Sequence, residues 1–256
     1  MADSADRAAL GVTRSAAGQF WSLREVDDMQ LLAFSQRLGL PDILCRMLAG
    51  RNIALEQAAS YLDPKLRDLL PDPSLMAGMD KGAARLAQAI IDKEPVAVFG
   101  DYDVDGATSS ALLLRYWQAC GQDMRAYIPD RTKEGYGPND AAFELLHGEG
   151  YKLIVTVDCG TMAHAVLENA KARGQEVIVA DHHQTGGGLP DCYALINPRR
   201  ADDESGLGHL AAVGVTFMLL VGINRALRQK GYFETHDEPN LTRMLDLVAL
   251  GTGYYR

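Results

Sequence analysis

Between Val96 and Ile196, short β-branched, apolar runs alternate with longer amphipathic stretches, and this alternation restricts the chain to very few architectures. The order is Val96–Phe99 then Ala107–Ala119, Arg125–Ile128 then Asp140–His147, and Leu153–Val157 then Met162–Ala172. Val177–Ala180, a glycine-rich loop at Gly186–Gly188, and Tyr193–Ile196 complete it. Alternation of this kind builds a parallel sheet closed by right-handed crossovers. The expectation is therefore an α/β fold with a central parallel sheet of about five strands flanked by helices. Upstream the texture is different. Leu31, Leu32, Phe34 and Leu38 recur at one-face helical spacing, as do Ile43, Leu44, Met47 and Leu48, and Pro41, Pro64, Pro71 and Pro73 cut the stretch into short helices. The expected division is a frayed lead-in over 1–20, a small helical N-terminal region over 21–92 and the sheet domain over 93–256.

Composition excludes other classes. With 47% hydrophobic and 23% charged residues in 256, the chain is neither collagen-like nor a coiled coil nor largely disordered. The longest apolar run, Leu210 to Ile223, is too short to span a bilayer and suits a buried helix. No membrane partner is expected. Four cysteines without a CxxC pair indicate neither a zinc knuckle nor a disulfide framework, and the cytoplasm is the expected compartment. A net charge of -9 argues against a broadly basic nucleic-acid coat. It leaves room for an acidic site neutralised by metal.

Open α/β sheets bind ligands at the carboxyl ends of their strands, and three of the runs end in chemistry-bearing residues. The first ends in Asp101, Asp103 and Asp105, the second in Asp158, and the third in Asp181, His182 and His183. If the chain stays extended after the first run, Asp103 and Asp105 lie two apart and face the same way. Carboxylates crowded at one rim repel each other unless a cation sits among them. Oxygen donors with one or two imidazoles favour Mn²⁺ or Mg²⁺ over zinc, and two such ions suit phosphoryl transfer. A single aspartate at a strand end is ordinarily a helix cap; three strand ends bearing the set together point to metal. Asp101 and Asp181 stand open between direct ligand and orienter of a neighbour. His147, His164 and His236 read as surface or helical residues, His209 is unassigned, and Cys159 reads as packing.

DYDVDG, VTVDCG and the DHH of Asp181–His183, in that order and spacing, resemble the first three motifs of the DHH phosphoesterase superfamily. Within it, LAGRNIALEQAASYLDP, MDKGAARLAQAI, YIPDRTKEGYGPND, INPRR and HLAAVGVTF resemble the RecJ family of single-stranded-DNA-specific 5′→3′ exonucleases. The resemblance implies two divalent ions, Mn²⁺ or Mg²⁺, held by Asp103, Asp105, Asp158 and His182, with His183 on the scissile phosphate. It implies that Arg131 and the Gly135-Tyr136-Gly137 loop hold the nucleotide or its 5′ phosphate, with Asn197 and Arg199 nearby. The implied function is hydrolysis of single-stranded DNA to 5′-mononucleotides in recombination and repair. Implied partners are single-stranded DNA and single-strand-binding or other replication and repair proteins.

Two departures from the family pattern stand out. AGVGV reads AAVGV, with Ala212 in place of a glycine. The fourth motif begins as LVALGT but runs into Gly253-Tyr254-Tyr255-Arg256, placing Tyr255 where the family has a metal-binding aspartate. The sequence thus reads as a truncated or frame-shifted family member, or an excised piece, without the DHH-associated and oligonucleotide-binding domains and possessing little activity alone. Two rival readings accompany it: a small-substrate DHH phosphoesterase acting on oligoribonucleotides, cyclic dinucleotides or pyrophosphate, and a non-catalytic module that docks to replication proteins.

Overall fold

The structure is a computed structural model and describes residues 8–255. Its contacts divide the chain into two compact units, one up to Leu70 and one from Pro71 onward. In the first, Asp28–Leu38 (α1) begins where the Asp27 carboxylate accepts a hydrogen bond from the Met29 N–H, and it stops at Gly39, which adopts φ 64°. Asp42–Ala49 (α2), Ala58–Leu62 (α3) and Leu66–Leu69 (α4) follow. Leu31, Phe34, Cys45, Leu48, Ala49 and Ala58 form the core of this unit. The buried stripe is narrower than the sequence pattern suggested, since Leu32, Ile43 and Met47 are exposed. Residues 1–7 of the expected frayed lead-in lie outside the described residues. Of the remainder, Ala9–Gly11 form a 3-10 turn and Ala8 bridges to Ser22.

The second unit is the sheet with its helices. Met79–Asp92 (α5) precedes Val96–Gly100 (β1), Val104–Ala119 (α6), Arg125–Tyr127 (β2), Asp140–Gly148 (α7), Leu153–Val157 (β3) and His164–Ala172 (α8). Glu176–Ala180 (β4), Ala194–Ile196 (β5), Ala212–Gln229 (α9) and Leu245–Tyr255 (α10) complete it. All five strands are parallel, in the order β2-β1-β3-β4-β5. The expected sheet is borne out, with strand ends shifted by a residue at most. The texture of the sequence changes at 92/93, but contacts group α5 with the sheet: at Gly82, a Cβ would meet Ile178, Ala194 and Ile196.

Strand periodicity sorts the core into two layers. Ala97, Phe99, Ile154, Val177, Val179 and Leu195 join Phe143 and Leu146 of α7 and Leu167 and Ala170 of α8 on one face. Helices α5, α6 and α9 pack together on the other. The Leu210–Ile223 run does form a buried helix, α9, to which Tyr116 of α6 donates a buried hydrogen bond of 2.5 Å at Asn224. No helix among the described residues is long and apolar enough to cross a membrane.

In this order the chain leaves β1 toward β2 on one side, while β3, β4 and β5 extend on the other. The carboxyl ends of β1 and β3 therefore part at a topological switch point, where open α/β sheets form their ligand crevice. Asp101–Asp105 follow β1, and Asp158 follows β3. The sheet itself brings the sequence's acidic motifs to that crevice.

Helix α10 docks on α6 and α9 through Gly251, where a Cβ would lie 2.5 Å from Thr108 Oγ1 and 2.7 Å from Val213 Cγ1. Gly253, two residues on, has open space around it. Gly251→Val is expected to lower unfolding stability by about 1–3 kcal/mol through overpacking. Gly253→Ala should be neutral or stabilising by less than about 1 kcal/mol. Denaturant midpoints check both, and equal effects at the two positions would deny the close helix contact.

Candidate metal centre

The segment after β1 turns directly into a helix instead of staying extended. Asp103 is the N-cap of α6, its Oδ1 accepting from Gly106 N–H at 3.0 Å, and Asp105 sits in the first turn. A Cβ on Gly106 would lie 2.6 Å from the backbone N and O of Asp101, so only glycine lets this turn rest on the strand end. The two-residue alternation expected for Asp103 and Asp105 is thus replaced by helical geometry, yet the charges of both carboxylates still bear on Asp158. Asp105 turns inward, where its two oxygens accept from Ala212 N–H at 2.7 Å and Val213 N–H at 2.8 Å. These are the first amides of α9, so Asp105 caps a helix 107 residues away in sequence. Ala212, in place of the family's glycine, is fully buried there and leaves that approach intact.

Asp158 follows β3 with φ 61°, a left-handed conformation that a non-glycine residue adopts at a cost. It is 1% exposed, and its Oδ1 accepts no hydrogen bond. Burial, reinforced by the charges of Asp105 and Asp103, pushes its pKa well above the carboxylate range. At the end of β4, His182 places Nδ1 3.2 Å from the Leu210 carbonyl, which can only accept, so Nδ1 carries the proton. Its Nε2 then faces Asp158 Oδ1 at 3.2 Å and Asp105 Oδ2 at 3.5 Å. Burial lowers the pKa of this imidazole against the opposing pull of Asp105, favouring a neutral ring whose Nε2 lone pair confronts carboxylate oxygens. A cation between them reconciles the arrangement.

Among the described residues, two groups of side chains offer donor atoms that all lie within 4.8 Å of one another: Asp101, Asp103 and Asp158, and Asp158, His182 and His183. Both contain Asp158. Of the expected ligand set, Asp103, Asp158 and His182 are brought together; Asp105 stands beside His182 with both oxygens engaged by α9. Asp101, left open by the sequence, joins the first group. It is buried, which raises its pKa despite a 2.7 Å hydrogen bond from Tyr102 N–H. The orphaned Asp158 oxygen, the turned-in His182 Nε2 and the oxygen-rich donors fit Mn²⁺ or Mg²⁺.

Asp181 has a different environment. Its Oδ1 accepts from His182 N–H (2.7 Å), His183 N–H (3.2 Å) and His183 Nδ1 (2.8 Å), and its Oδ2 accepts from Thr161 N–H (3.0 Å). Burial alone would raise its pKa, but His183 and Thr161 hold it well below the usual range. The same hydrogen bond to Asp181 raises the His183 pKa. On the open side, Tyr136 Oη lies 3.3 Å from His183 Nε2 and 3.4 Å from the Asp158 carbonyl. Gly135 and Gly137, at φ 80° and 79°, bend the loop that carries Tyr136 over the site. A cavity of about 380 Å³ beside them is lined by Tyr136, Pro138, Met162, Ala163, His183 and an edge of Asp181, among others. Arg131 is exposed, with its guanidinium carbon 5.3 Å from the Tyr102 ring centroid.

Asn197, expected near the nucleotide, turns inward. Asn197 is 0% exposed, donates to Thr161 Oγ1 and the His183 carbonyl, and accepts from Arg199 N–H, so it has no surface for a ligand. Arg199 is half-buried, and its Nε donates to the Gly208 carbonyl at 3.0 Å. His147 and His236 are exposed, His164 opens α8, and Cys159 is buried, as the sequence reading placed them. Sequence reasoning missed Tyr102, Thr161 and the Leu210 carbonyl. Tyr102 was detectable as the aromatic between two aspartates, whereas Leu210 acts through a backbone carbonyl that carries no side-chain signal, and Thr161 acts through its N–H as well as its hydroxyl.

Comparison with known proteins agrees with this geometry. The DHH family, N-terminal domain, matches residues 95–252. The chain is 40% identical over 216 residues to the single-stranded-DNA-specific exonuclease RecJ of Salmonella typhimurium, covering 83% of this chain and 37% of that protein. It is 38% identical to RecJ of Escherichia coli, covering 90% and 39%. The chain thus spans well under half the length of these curated relatives. Among solved structures it is similar to RecJ from Thermus thermophilus in complex with Mn²⁺, with a TM-score of 0.66, 29% identity, and coverage of 88% of this chain and 30% of that one. An exonuclease RecJ bound to manganese gives a TM-score of 0.58 at 35% identity, with coverage of 69% and 43%. Motif order, sheet topology and matched residues agree, and the chain belongs to the DHH family.

Proposed function

We propose that the chain carries the metal-dependent catalytic centre of an exonuclease that hydrolyses single-stranded DNA from its 5′ end. The observation that carries this reading is Asp158, a buried carboxylate with an orphaned oxygen, shared by two donor groups at the sheet's switch point. Asp101, Asp103 and Asp158 would hold one divalent ion, and Asp158 and His182 a second, with Asp105 beside it. Bound there, such a pair supplies Lewis-acid polarisation of the phosphodiester and a lowered water pKa. The protein's own groups do the rest. His183, held toward its charged form by Asp181, directs Nε2 toward the phosphate, and Arg131, stacked on Tyr102, offers a planar fork to a terminal phosphate. Tyr136 walls the slot where a nucleotide would enter. Four free cysteines suit a reducing cytoplasm. Single-stranded DNA is the proposed partner, in line with the names of the relatives, and single-strand-binding or other replication and repair proteins are proposed beside it.

The first test is metal alone. Mn²⁺ should raise the melting temperature, as a ligand of the native state does, and Asp158→Ala should remove most of that rise. An undiminished rise in the variant would take Asp158 out of the site. Asp105→Ala has a second expected effect, visible without metal: loss of the α9 cap lowers stability by about 1–2 kcal/mol. A metal-free variant as stable as the parent would show that the cap contributes nothing.

The second test is turnover of 5′-phosphorylated single-stranded DNA, followed by release of mononucleotides. Asp158→Ala should lower it by about three orders of magnitude, because members of a cooperating unit fail together. Arg131→Ala should raise KM more for 5′-phosphorylated ends than for ends without phosphate. Preferential cleavage of short oligoribonucleotides or cyclic dinucleotides over long single strands would instead establish the small-substrate reading.

A further inference from the structure

The hydrogen bonds around Asp181 continue beyond the metal donors into a buried chain. Asp181 is 1% exposed, and both its oxygens are engaged, Oδ1 three times and Oδ2 once. Among the described residues, neither donor group within 4.8 Å includes it. A carboxylate with its lone pairs so occupied has little left for a metal ion. It does hold the His183 ring, because the short contact from Nδ1 commits that nitrogen's proton to Oδ1 and leaves Nε2 facing the open slot and Tyr136.

Thr161, whose N–H is bound to Asp181, accepts through Oγ1 from Asn197 Nδ2 at 2.9 Å. The same amide nitrogen donates to the His183 carbonyl, also at 2.9 Å. Asn197 therefore grips the loop after β3 and the loop after β4 at once, from the end of β5. Its two amide hydrogens match two acceptors, and its oxygen is taken by Arg199 N–H at 2.9 Å. Every polar group of a fully buried side chain is satisfied, which is the arrangement expected of an element that fixes a neighbour.

We infer that Asp181 and Asn197 are positioning residues for His183: Asp181 fixes the ring through Nδ1, and Asn197 fixes the backbone that carries it, and neither binds metal or nucleotide. The role of His183 on the phosphate rests on the proposed hydrolase reading; the packing of the chain does not. The inference separates two kinds of residue at the same rim. Asp158 and His182 set metal affinity, while Asp181 and Asn197 set the aim of Nε2.

The test uses the Mg²⁺-loaded full chain labelled with ¹⁵N-histidine, together with Asp181→Asn, Asn197→Ala and Asn197→Asp; the last keeps an oxygen for Arg199 N–H if the alanine variant folds poorly. In the parent, the His183 Nδ1–H should be hydrogen-bonded and slow to exchange. In all three variants it should broaden or shift, while the Mn²⁺-induced rise in melting temperature stays within error of the parent's. On 5′-phosphorylated single-stranded DNA, kcat should fall about 10- to 100-fold with KM little changed, the size typical of losing an outer hydrogen-bond partner. A lost Mn²⁺ response in Asp181→Asn would make Asp181 a ligand, and a raised KM with unchanged kcat in the Asn197 variants would make Asn197 a nucleotide contact. Either result overturns the inference, as do His183 resonances identical to the parent's. If the parent itself releases no mononucleotide, the hydrolase reading fails for this chain alone, and the NMR and Mn²⁺ results still decide the positioning roles.

Discussion

Like charges gathered at one rim dominate the construction of this molecule. Asp101, Asp103, Asp105, Asp158 and Asp181 come to the carboxyl ends of three neighbouring strands, and carboxylates this close disfavour one another's ionisation. The protein compensates them one at a time. The first turn of α6 supplies an amide to Asp103, the first amides of α9 serve Asp105, and Thr161 and His183 satisfy Asp181. Asp158 is left with a bare oxygen in a buried setting. What the backbone compensates is fixed in place, and what it leaves uncompensated is where a cation is best accommodated.

This division also explains how helices far apart in sequence meet. α9 is a long helix buried along much of its length, and its apolar side chains account for its burial against α5 and α6. Apolar packing alone tolerates sliding. The two hydrogen bonds from Ala212 and Val213 to Asp105 fix where α9 begins, and the Leu210 carbonyl just before it sets the proton position on His182. One helix end thereby orients a carboxylate in the first turn of α6 and an imidazole just beyond β4.

The parts legible in the sequence were those with period or motif. Five apolar runs between amphipathic stretches are the five strands, and the acidic and histidine residues that follow them converge because strand ends converge. Asp103 and Asp105 lie near one site by another geometry than strand alternation: Asp103 already caps a helix and Asp105 sits in its first turn, and the charges of both bear on Asp158. Asn197 follows a strand just as Asp158 does, and no sequence pattern distinguishes a polar side chain turned inward to a neighbouring loop from one facing solvent. The boundary at 92/93 followed a change of texture, yet α5 is an amphipathic helix whose apolar face covers β5. Texture reports what an element is, and contact decides where it belongs.

The tie between Asp105 and α9 also has a consequence for the order in which the molecule comes into being. During synthesis from the N-terminus, β1 and its aspartates leave the ribosome about a hundred residues before the amides of Ala212 and Val213, and domains fold as their parts emerge. Until then the acidic rim has neither its helix cap nor the carbonyl that orients His182. A nascent chain ending between His183 and α9 carries the motifs without the geometry, and non-local closure of this kind is slow relative to local helix formation. The centre is therefore assembled late, by the arrival of a helix that contributes no side chain to either donor group.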